Sequence, residues 1–265
     1  MKKDRNIQKH TDSVVMRGLR FMLYLFRCLL KPKTIVVDGT RIAIDYKNWS
    51  PFMTRRILSG NYELQERKAL EQILRPSDRI LEIGGGIGLT ALTARKFTQD
   101  KNITLYEANP ALIENIRHNF CLNDAKISLM NAAIVSDDWE EKKATFFIPK
   151  NFWSGGLNNN TTDSEKIVVD AIKLRDAIKT HNANVLIMDV EGAECEILRE
   201  ADLTEIDLLC LELHPHYTGR AEAEALILRL QSQGFVPVFP NAEKCVVTLK
   251  RVARFDVEPD ARLSA

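Results

Sequence analysis

The stretch Arg79-Ile80-Leu81-Glu82-Ile83-Gly84-Gly85-Gly86-Ile87-Gly88-Leu89-Thr90 constrains this chain more than any other. A short apolar run is followed at once by glycines, then by residues able to start a helix. Glycines at such a junction let the backbone approach a ligand closely. The N-terminus of the following helix presents unpaired N–H donors. In an open α/β sheet this junction lies at the carboxyl ends of the strands, where ligands bind. No Gly-Lys-Ser/Thr follows, so a P-loop is excluded. Gly86-x-Gly88-x-x-Ala91 satisfies the loose dinucleotide pattern, and Glu107 stands 19 residues beyond Gly88. A nicotinamide cofactor, and with it an NAD-dependent oxidoreductase, is therefore one candidate. Glu82 points to another. A carboxylate beside the loop repels a pyrophosphate but suits a sulfonium cofactor that carries an ammonium group. Glu107 ends the next apolar run, where an acid can accept both hydroxyls of a ribose, and it serves either cofactor.

From Arg79 onward, apolar runs alternate with helical patterns. Strands are expected at 79–83, 103–107, 126–130, 185–190 and 207–213. Helices are expected to about Phe97 and Phe120, over 174–180, 193–201 and 220–233. The segments 145–148 and 166–172 flank a polar loop, and 235–239 with 244–249 read as a closing antiparallel pair. This alternation predicts an α/β fold with a mostly parallel sheet covered by helices on both faces. Upstream, Thr34–Tyr46 reads as a hairpin around Asp38-Gly39, and Asn48–Leu74 as helical after Pro51 with a break at Ser59-Gly60. The length of 265 residues suits one large domain with a modest extension.

Charge is unevenly placed. The whole chain carries a net +1, a poor match to non-specific nucleic-acid binding. Residues 1–33 hold nine basic and two acidic side chains, a net +7, which leaves −6 for the remainder. Within 14–31, Arg17, Arg20, Tyr24, Arg27 and Lys31 recur at helical spacing and form one narrow stripe on a surface otherwise rich in Val, Leu, Met and Phe. Two readings stand. One is an interfacial helix making peripheral contact with a membrane. The other is a helix docked on its own protein with the basic face wet. No apolar run reaches membrane-spanning length. Five cysteines (Cys28, Cys121, Cys195, Cys210, Cys245), with no Cys-x-x-Cys, argue against a disulfide framework or structural zinc. The default compartment is cytoplasmic, at most peripheral on the inner membrane face.

Two further regions carry candidate chemistry. Asp189 ends the apolar run Val185-Leu186-Ile187-Met188, and acids rarely end a buried strand without a partner. Glu191 and Glu194 follow at a helix start, where either could be an ordinary cap. The next strand runs into Glu212-Leu213-His214-Pro215-His216. Either histidine could be a general base or a surface-loop residue. One His-x-His pair near Asp189 is weak evidence for a metal, and no metal ligand is assigned. Phe152, Trp153, Gly155, Gly156 and Asn158-Asn159-Asn160 suit a sugar or amphipathic acceptor, or form an ordinary loop. Tyr62, Glu63 and Glu66 could close over the cofactor, or form a wet helix face.

Glu82–Gly88, the step Glu107-Ala108-Asn109-Pro110 and Met188-Asp189-Val190-Glu191-Gly192-Ala193-Glu194 together resemble the FkbM-type family of S-adenosylmethionine-dependent methyltransferases. The likeness covers about Arg79–Glu212, and its most specific element is Asp189–Glu194. Ser59–Glu66 also resembles a segment that precedes the glycine loop in some members. Ala108 departs from the Glu-Pro-Asn-Pro often found there. The resemblance implies a class I methyltransferase (Rossmann-like) fold and methyl transfer to a hydroxyl of a sugar, lipid or natural product. It implies cofactor binding by Glu82, Gly84, Gly86, Gly88, Glu107, Asn109 and Ala132, and catalytic roles among Asp189, Glu191 and His214. The organisation expected is a basic amphipathic extension over 1–33, a hairpin and helical lead-in over 34–75, and a catalytic domain over 76–265. A small-molecule, glycan or lipid acceptor is the expected partner, without nucleic acid. A non-catalytic binding protein on the same fold is the further alternative.

Overall fold

Three apolar tetrapeptides, Ile80–Ile83, Ile103–Tyr106 and Val185–Met188, are buried at every position. A strand buried on both faces reads as a continuous apolar run and belongs in the middle of a parallel sheet. The computed structural model describes residues 14–149, 156–157, 164–239 and 246–252. In chain order it forms α1 (Val14–Leu30), β1 (Thr34–Val37), β2 (Thr40–Ala43), α2 (Pro51–Leu58), α3 (Leu64–Ile73), β3 (Ile80–Ile83) and α4 (Leu89–Ala94). Then come β4 (Ile103–Tyr106), α5 (Pro110–Leu122), β5 (Ser128–Met130), β6 (Ala133–Val135), β7 (Lys143–Pro149), β8 (Ser164–Lys173) and α6 (Leu174–His181). The last elements are β9 (Val185–Met188), α7 (Glu194–Ile197), β10 (Leu208–Glu212), α8 (Pro215–Thr218), α9 (Arg220–Ser232), β11 (Phe235–Pro237) and β12 (Val246–Arg251).

Among the described residues the main sheet has seven strands in the order β5-β4-β3-β9-β10-β12-β11. β3, β4, β5, β9 and β10 are parallel, β12 is antiparallel to β10, and β11 is antiparallel to β12. The fold is thus the expected Rossmann-like α/β sheet with an antiparallel closing pair. The chain moves outward from β3 to β5 and then returns to lay β9 on the other side of β3. That reversal opens a crevice at the carboxyl ends of β3 and β9.

Two apolar clusters cover the sheet, one gathering α6, α7 and α9, the other gathering β1–β2, α2, α4 and α5. The Asp38-Gly39 turn has φ of 46° and 81°, the left-handed pair that a two-residue hairpin needs. The hairpin is pinned to α5. Ala43 N–H donates to Asn119 Oδ1 and Arg41 N–H to Asn123 Oδ1, each at 2.9 Å. Asn119 in turn donates to the Ile87 carbonyl at 2.9 Å, so this fully buried amide is satisfied on both sides. Ser50 before Pro51 caps α2, and Asn109 before Pro110 caps α5, accepting from Met53 N–H and Ala111 N–H.

Besides shorter helices, α4 ending at Ala94 and α7 covering only Glu194–Ile197, three features differ from the sequence expectation. A second sheet, β6-β8-β7, stands beside the main one. β6 is three residues long, too short for its pattern to register, and exists by pairing with β8. The Pro215–Thr218 turn of helix was likewise not expected. The third difference lies in α1. The helix is docked on its own protein, as one of the two readings had it, but of the stripe Tyr24 and Arg27 face inward and not to water, while Lys31 is exposed. Tyr24 and Cys28 pack on the core, and the Arg27 guanidinium donates to the carbonyls of Leu58 at 2.8 Å and Val36 at 2.7 Å. The side chains of Arg17 and Arg20 lie outside the described set. So do residues 1–13 and Cys245, together with the expected acceptor-loop residues Phe152, Trp153, Gly155 and Asn158–Asn160.

Candidate functional site

The crevice holds a cavity of about 740 Å³, walled by the ends of β3, β4, β9 and β10, by β6, and by α2 and the start of α3. The loop after β3 crosses the end of β9 so closely that a Cβ on Gly84 would overlap the Asp189 carbonyl oxygen. With φ of 87° as well, that position admits only glycine. Gly86 opens toward the cavity, and a Cβ there would meet only the Tyr62 hydroxyl and Glu63. Gly88 lies outside the lining and abuts Phe120 and Ile116.

The Glu107 carboxylate stands behind this loop as its acceptor. Oε2 accepts from the N–H groups of Gly85 at 3.0 Å and Gly86 at 3.1 Å, and Oε1 accepts from Asn109 at 2.7 Å. Burial nevertheless outweighs these bonds and pushes the group up to about 7. Glu82 is 1% exposed and its Oε2 has no partner. Burial, then the charges of Glu63 and Glu107, hold it well above the carboxylate range. From the lead-in, Glu63 accepts from Thr90 Oγ1 at 2.6 Å and from the Tyr62 hydroxyl, bracing both side chains over the loop. Fully buried Arg67 fixes this segment, donating to the carbonyls of Tyr62 and Gly60 and pairing with Asp38.

At the ends of β9 and β10 a second cluster forms around His214. Its Nδ1 lies 2.8 Å from Oε1 of Glu194, which is fully buried. Glu194 also accepts from the N–H groups of Val190 and Gly192. A carboxylate so held directs Nδ1–H toward itself and leaves Nε2 as the free ring nitrogen. Nε2 lies 3.4 Å from Glu191 Oε2 and 3.7 Å from Asp189 Oδ1. Glu191 adopts φ of 51°, an uncommon backbone for a side-chain-bearing residue. Burial lowers the His214 pKa, but the Glu194 hydrogen bond and the charges of Glu194, Glu191 and Glu212 outweigh it, and the net direction is upward. Burial raises Glu191 to about 7 against the opposing pull of His214. Burial, then Glu191 and Glu212, raise Asp189 well above the carboxylate range, and its Oδ1 is buried without a hydrogen-bond partner. Glu66, buried beside Glu212, is pushed up to about 8.

Of the residues expected at the site, Gly84, Gly86, Glu107, Asn109, Ala132, Asp189, Glu191 and His214 line one cavity. Glu82 sits behind the lining. Tyr62, Glu63 and Glu66 join the cavity, and Glu66 is buried rather than wet. His216 is exposed and outside the lining. Sequence reasoning passed over Glu212 and treated Glu194 as a cap; only the approach of the β9–α7 turn to the end of β10 reveals their roles. Asp189, Glu212 and His214 can each turn one ligand atom within 4.8 Å of the others and could hold a divalent cation. Among the described lining residues six are acidic, while Arg56 and His214 are the basic ones. Such a cavity is suited to a cation.

Residues 82–237, more than half of the chain, match the family model described as Methyltransferase FkbM domain. No match was found among curated proteins. Solved structures similar in outline include the Pyrococcus abyssi tRNA (uracil-54, C5)-methyltransferase in complex with S-adenosyl-L-homocysteine. It is 13% identical over 82% of this chain and 44% of that one, so this chain spans less than half its length, with a TM-score of 0.44. The ribosomal protein L11 methylase of Lactobacillus delbrueckii subsp. bulgaricus is 10% identical over 83% and 100% of the two chains, with a TM-score of 0.46. A methyltransferase of Pyrococcus furiosus is 15% identical over 89% and 98%, also at 0.46.

Proposed function

Because the chain belongs to the FkbM methyltransferase domain family, we propose that it transfers a methyl group from S-adenosylmethionine to a hydroxyl of a sugar, lipid or natural-product acceptor. The residues present fit that cofactor. Gly86 leaves bare backbone facing the cavity, Glu82 offers a buried orphaned oxygen, and burial raises the carboxylates, which a cationic ligand would offset. An NAD-dependent oxidoreductase would have to place a pyrophosphate among the same acids, which like-charge repulsion opposes.

S-adenosylmethionine, when bound, supplies a methyl carbon activated by a cationic sulfur. The protein's work is then to orient the acceptor and take its proton. In this reading Gly84, Gly86, Asn109 and Ala132 shape the cofactor's bed, with Gly88 setting the start of α4. Glu82, behind the lining, favours its ammonium group by charge alone, and Glu107 faces its ribose. His214 Nε2 receives the acceptor's hydroxyl proton. Glu194 holds the ring in the needed tautomer, and Asp189 and Glu191 stabilise the imidazolium that results. Placing two reactants correctly is worth about 7–11 kcal/mol and a base about 10²–10⁴-fold, so orientation by the cavity walls carries most of the rate.

The observation that carries this reading is His214, which lines an acid-rich cavity while buried Glu194 holds its ring from behind the wall. Calorimetric titration with S-adenosylmethionine, S-adenosylhomocysteine and NAD tests the cofactor, with saturable binding of the first two and none of NAD expected. Binding of NAD alone would overturn it. Labelled methyl transfer to hydroxylated acceptors tests the reaction. An alkali-stable methyl ether supports it, whereas label found on nitrogen or carbon refutes the hydroxyl acceptor.

A further inference from the structure

α1 presents its apolar side to solvent. Leu19, Met22, Phe26 and Leu29 are 61%, 64%, 58% and 82% exposed. Phe21 and Leu25 extend the same face. From Leu19 to Leu29 the helix rises about 15 Å, with these side chains one turn apart, so they form a continuous patch and not a scatter of single side chains. Patches of that extent mark interaction surfaces. The inward face holds half-buried Tyr24 and Cys28, with Arg27 bridging to α2 and β1. The helix therefore cannot roll over to hide its apolar side without breaking both bonds.

Positive charge flanks the patch. Lys31 and Lys33 are exposed at its C-terminal end, and Arg55 and Arg56 are exposed on α2, against which α1 packs. Along the sequence, residues 1–33 carry a net +7 while the remainder carries −6, so the segment that contains α1 is the basic part of the chain. Among the described residues no helix is long and apolar enough to cross a membrane. A second copy of this chain would bring two such basic ends together, which like-charge repulsion opposes.

We propose that the outward face of α1 docks on an anionic lipid surface, with its Leu, Met and Phe side chains among the acyl chains and the flanking Lys and Arg on the phosphates. The cavity follows from this placement. Phe52, 70% exposed, and Arg56 belong to both α2 and the cavity wall. Docking turns that wall toward the lipid, from which an amphiphilic acceptor arrives; this consequence alone rests on the methyl-transfer reading.

The test is co-sedimentation of the full chain with vesicles of phosphatidylcholine alone or mixed with phosphatidylglycerol. Phe26→Asp/Leu29→Asp is the comparison variant. Calorimetric binding of S-adenosylmethionine, with circular dichroism, reports that the variant is folded. The full chain is expected to sediment with the anionic vesicles and weakly with the neutral ones. The variant is expected to lose about tenfold or more in partitioning, from removal of two exposed apolar groups. Equal sedimentation of the two proteins, or no preference for the anionic vesicles, overturns the proposal. So does a concentration-dependent dimer, seen by light scattering and lost in the variant, without vesicle binding; that result makes a second copy the occupant. Failure to bind the cofactor with vesicle binding intact would strike only the methyl-transfer reading.

Discussion

Replacing Glu107 by Gln should change how stability depends on pH, by an amount the structure sets. The wild-type carboxyl is buried and pushed up to about 7 from an ordinary 4.5. Its folded-state pKa exceeds its unfolded one, so between these values the folded chain binds more protons. Stability is then fully present below about 4.5 and declines as pH rises toward 7. From pH 5 to pH 8 this single group removes roughly 2–3 kcal/mol. Gln cannot ionise and lacks that slope. It brings a smaller, pH-independent penalty, because one of the three N–H donors from Gly85, Gly86 and Asn109 then faces an amide NH₂ instead of an acceptor. The variant should accordingly be the less stable protein at pH 5 and the more stable one near pH 8. Thermal melts at both pH values, without cofactor, read this as a change of roughly 5–10 °C in the difference between the two proteins. Parallel pH profiles would refute the argument, showing that Glu107 titrates as an exposed acid and does not sit behind the glycine loop.

Other substitutions separate the roles assigned to the site. His214→Gln should lower kcat by about 100-fold or more while leaving S-adenosylmethionine affinity nearly unchanged, as measured by steady-state kinetics and calorimetry. Since the charge of Glu194 helps raise His214, Glu194→Gln should move the rising limb of the kcat–pH profile to lower pH, an outcome that a purely structural role would not produce. Gly84→Ala places a Cβ on the Asp189 carbonyl at a left-handed φ, so soluble expression or melting temperature should collapse. Gly86→Ala meets only side-chain atoms, so that protein should fold but bind cofactor about tenfold more weakly, judged by melting and titration.

The parts of this fold legible in the sequence are those where local pattern and tertiary environment agree. Ile80–Ile83 and Val185–Met188 are apolar throughout because both faces are covered, and the glycines after Ile83 mark the close crossing onto β9. β6 escaped because three residues carry no period, and its strand character comes from pairing with β8. Glu194 follows the rule for a helix start, so nothing local distinguishes a cap from the buried partner of His214. The wheel of α1 shows two faces but not which one the body takes. Arg27 settled that by finding the carbonyls of Leu58 and Val36, acceptors that no pattern within 14–31 announces.

The electrostatics of the cavity also fix the sign of a proton flux. Near neutral pH, Glu107 and Glu191 at about 7 and Glu66 at about 8 are each partly protonated, raised first by burial. A ligand with net positive charge stabilises their ionised forms and lowers these values, so its binding must release protons. A pyrophosphate-bearing ligand stabilises the protonated forms and must take protons up. Calorimetry at pH 7 in two buffers of different ionisation enthalpy reads the flux directly, through the buffer dependence of the apparent heat. Release on binding S-adenosylmethionine is the outcome these acids require. Uptake, or a heat independent of buffer, would mean that the cofactor does not lie among them, whatever its affinity.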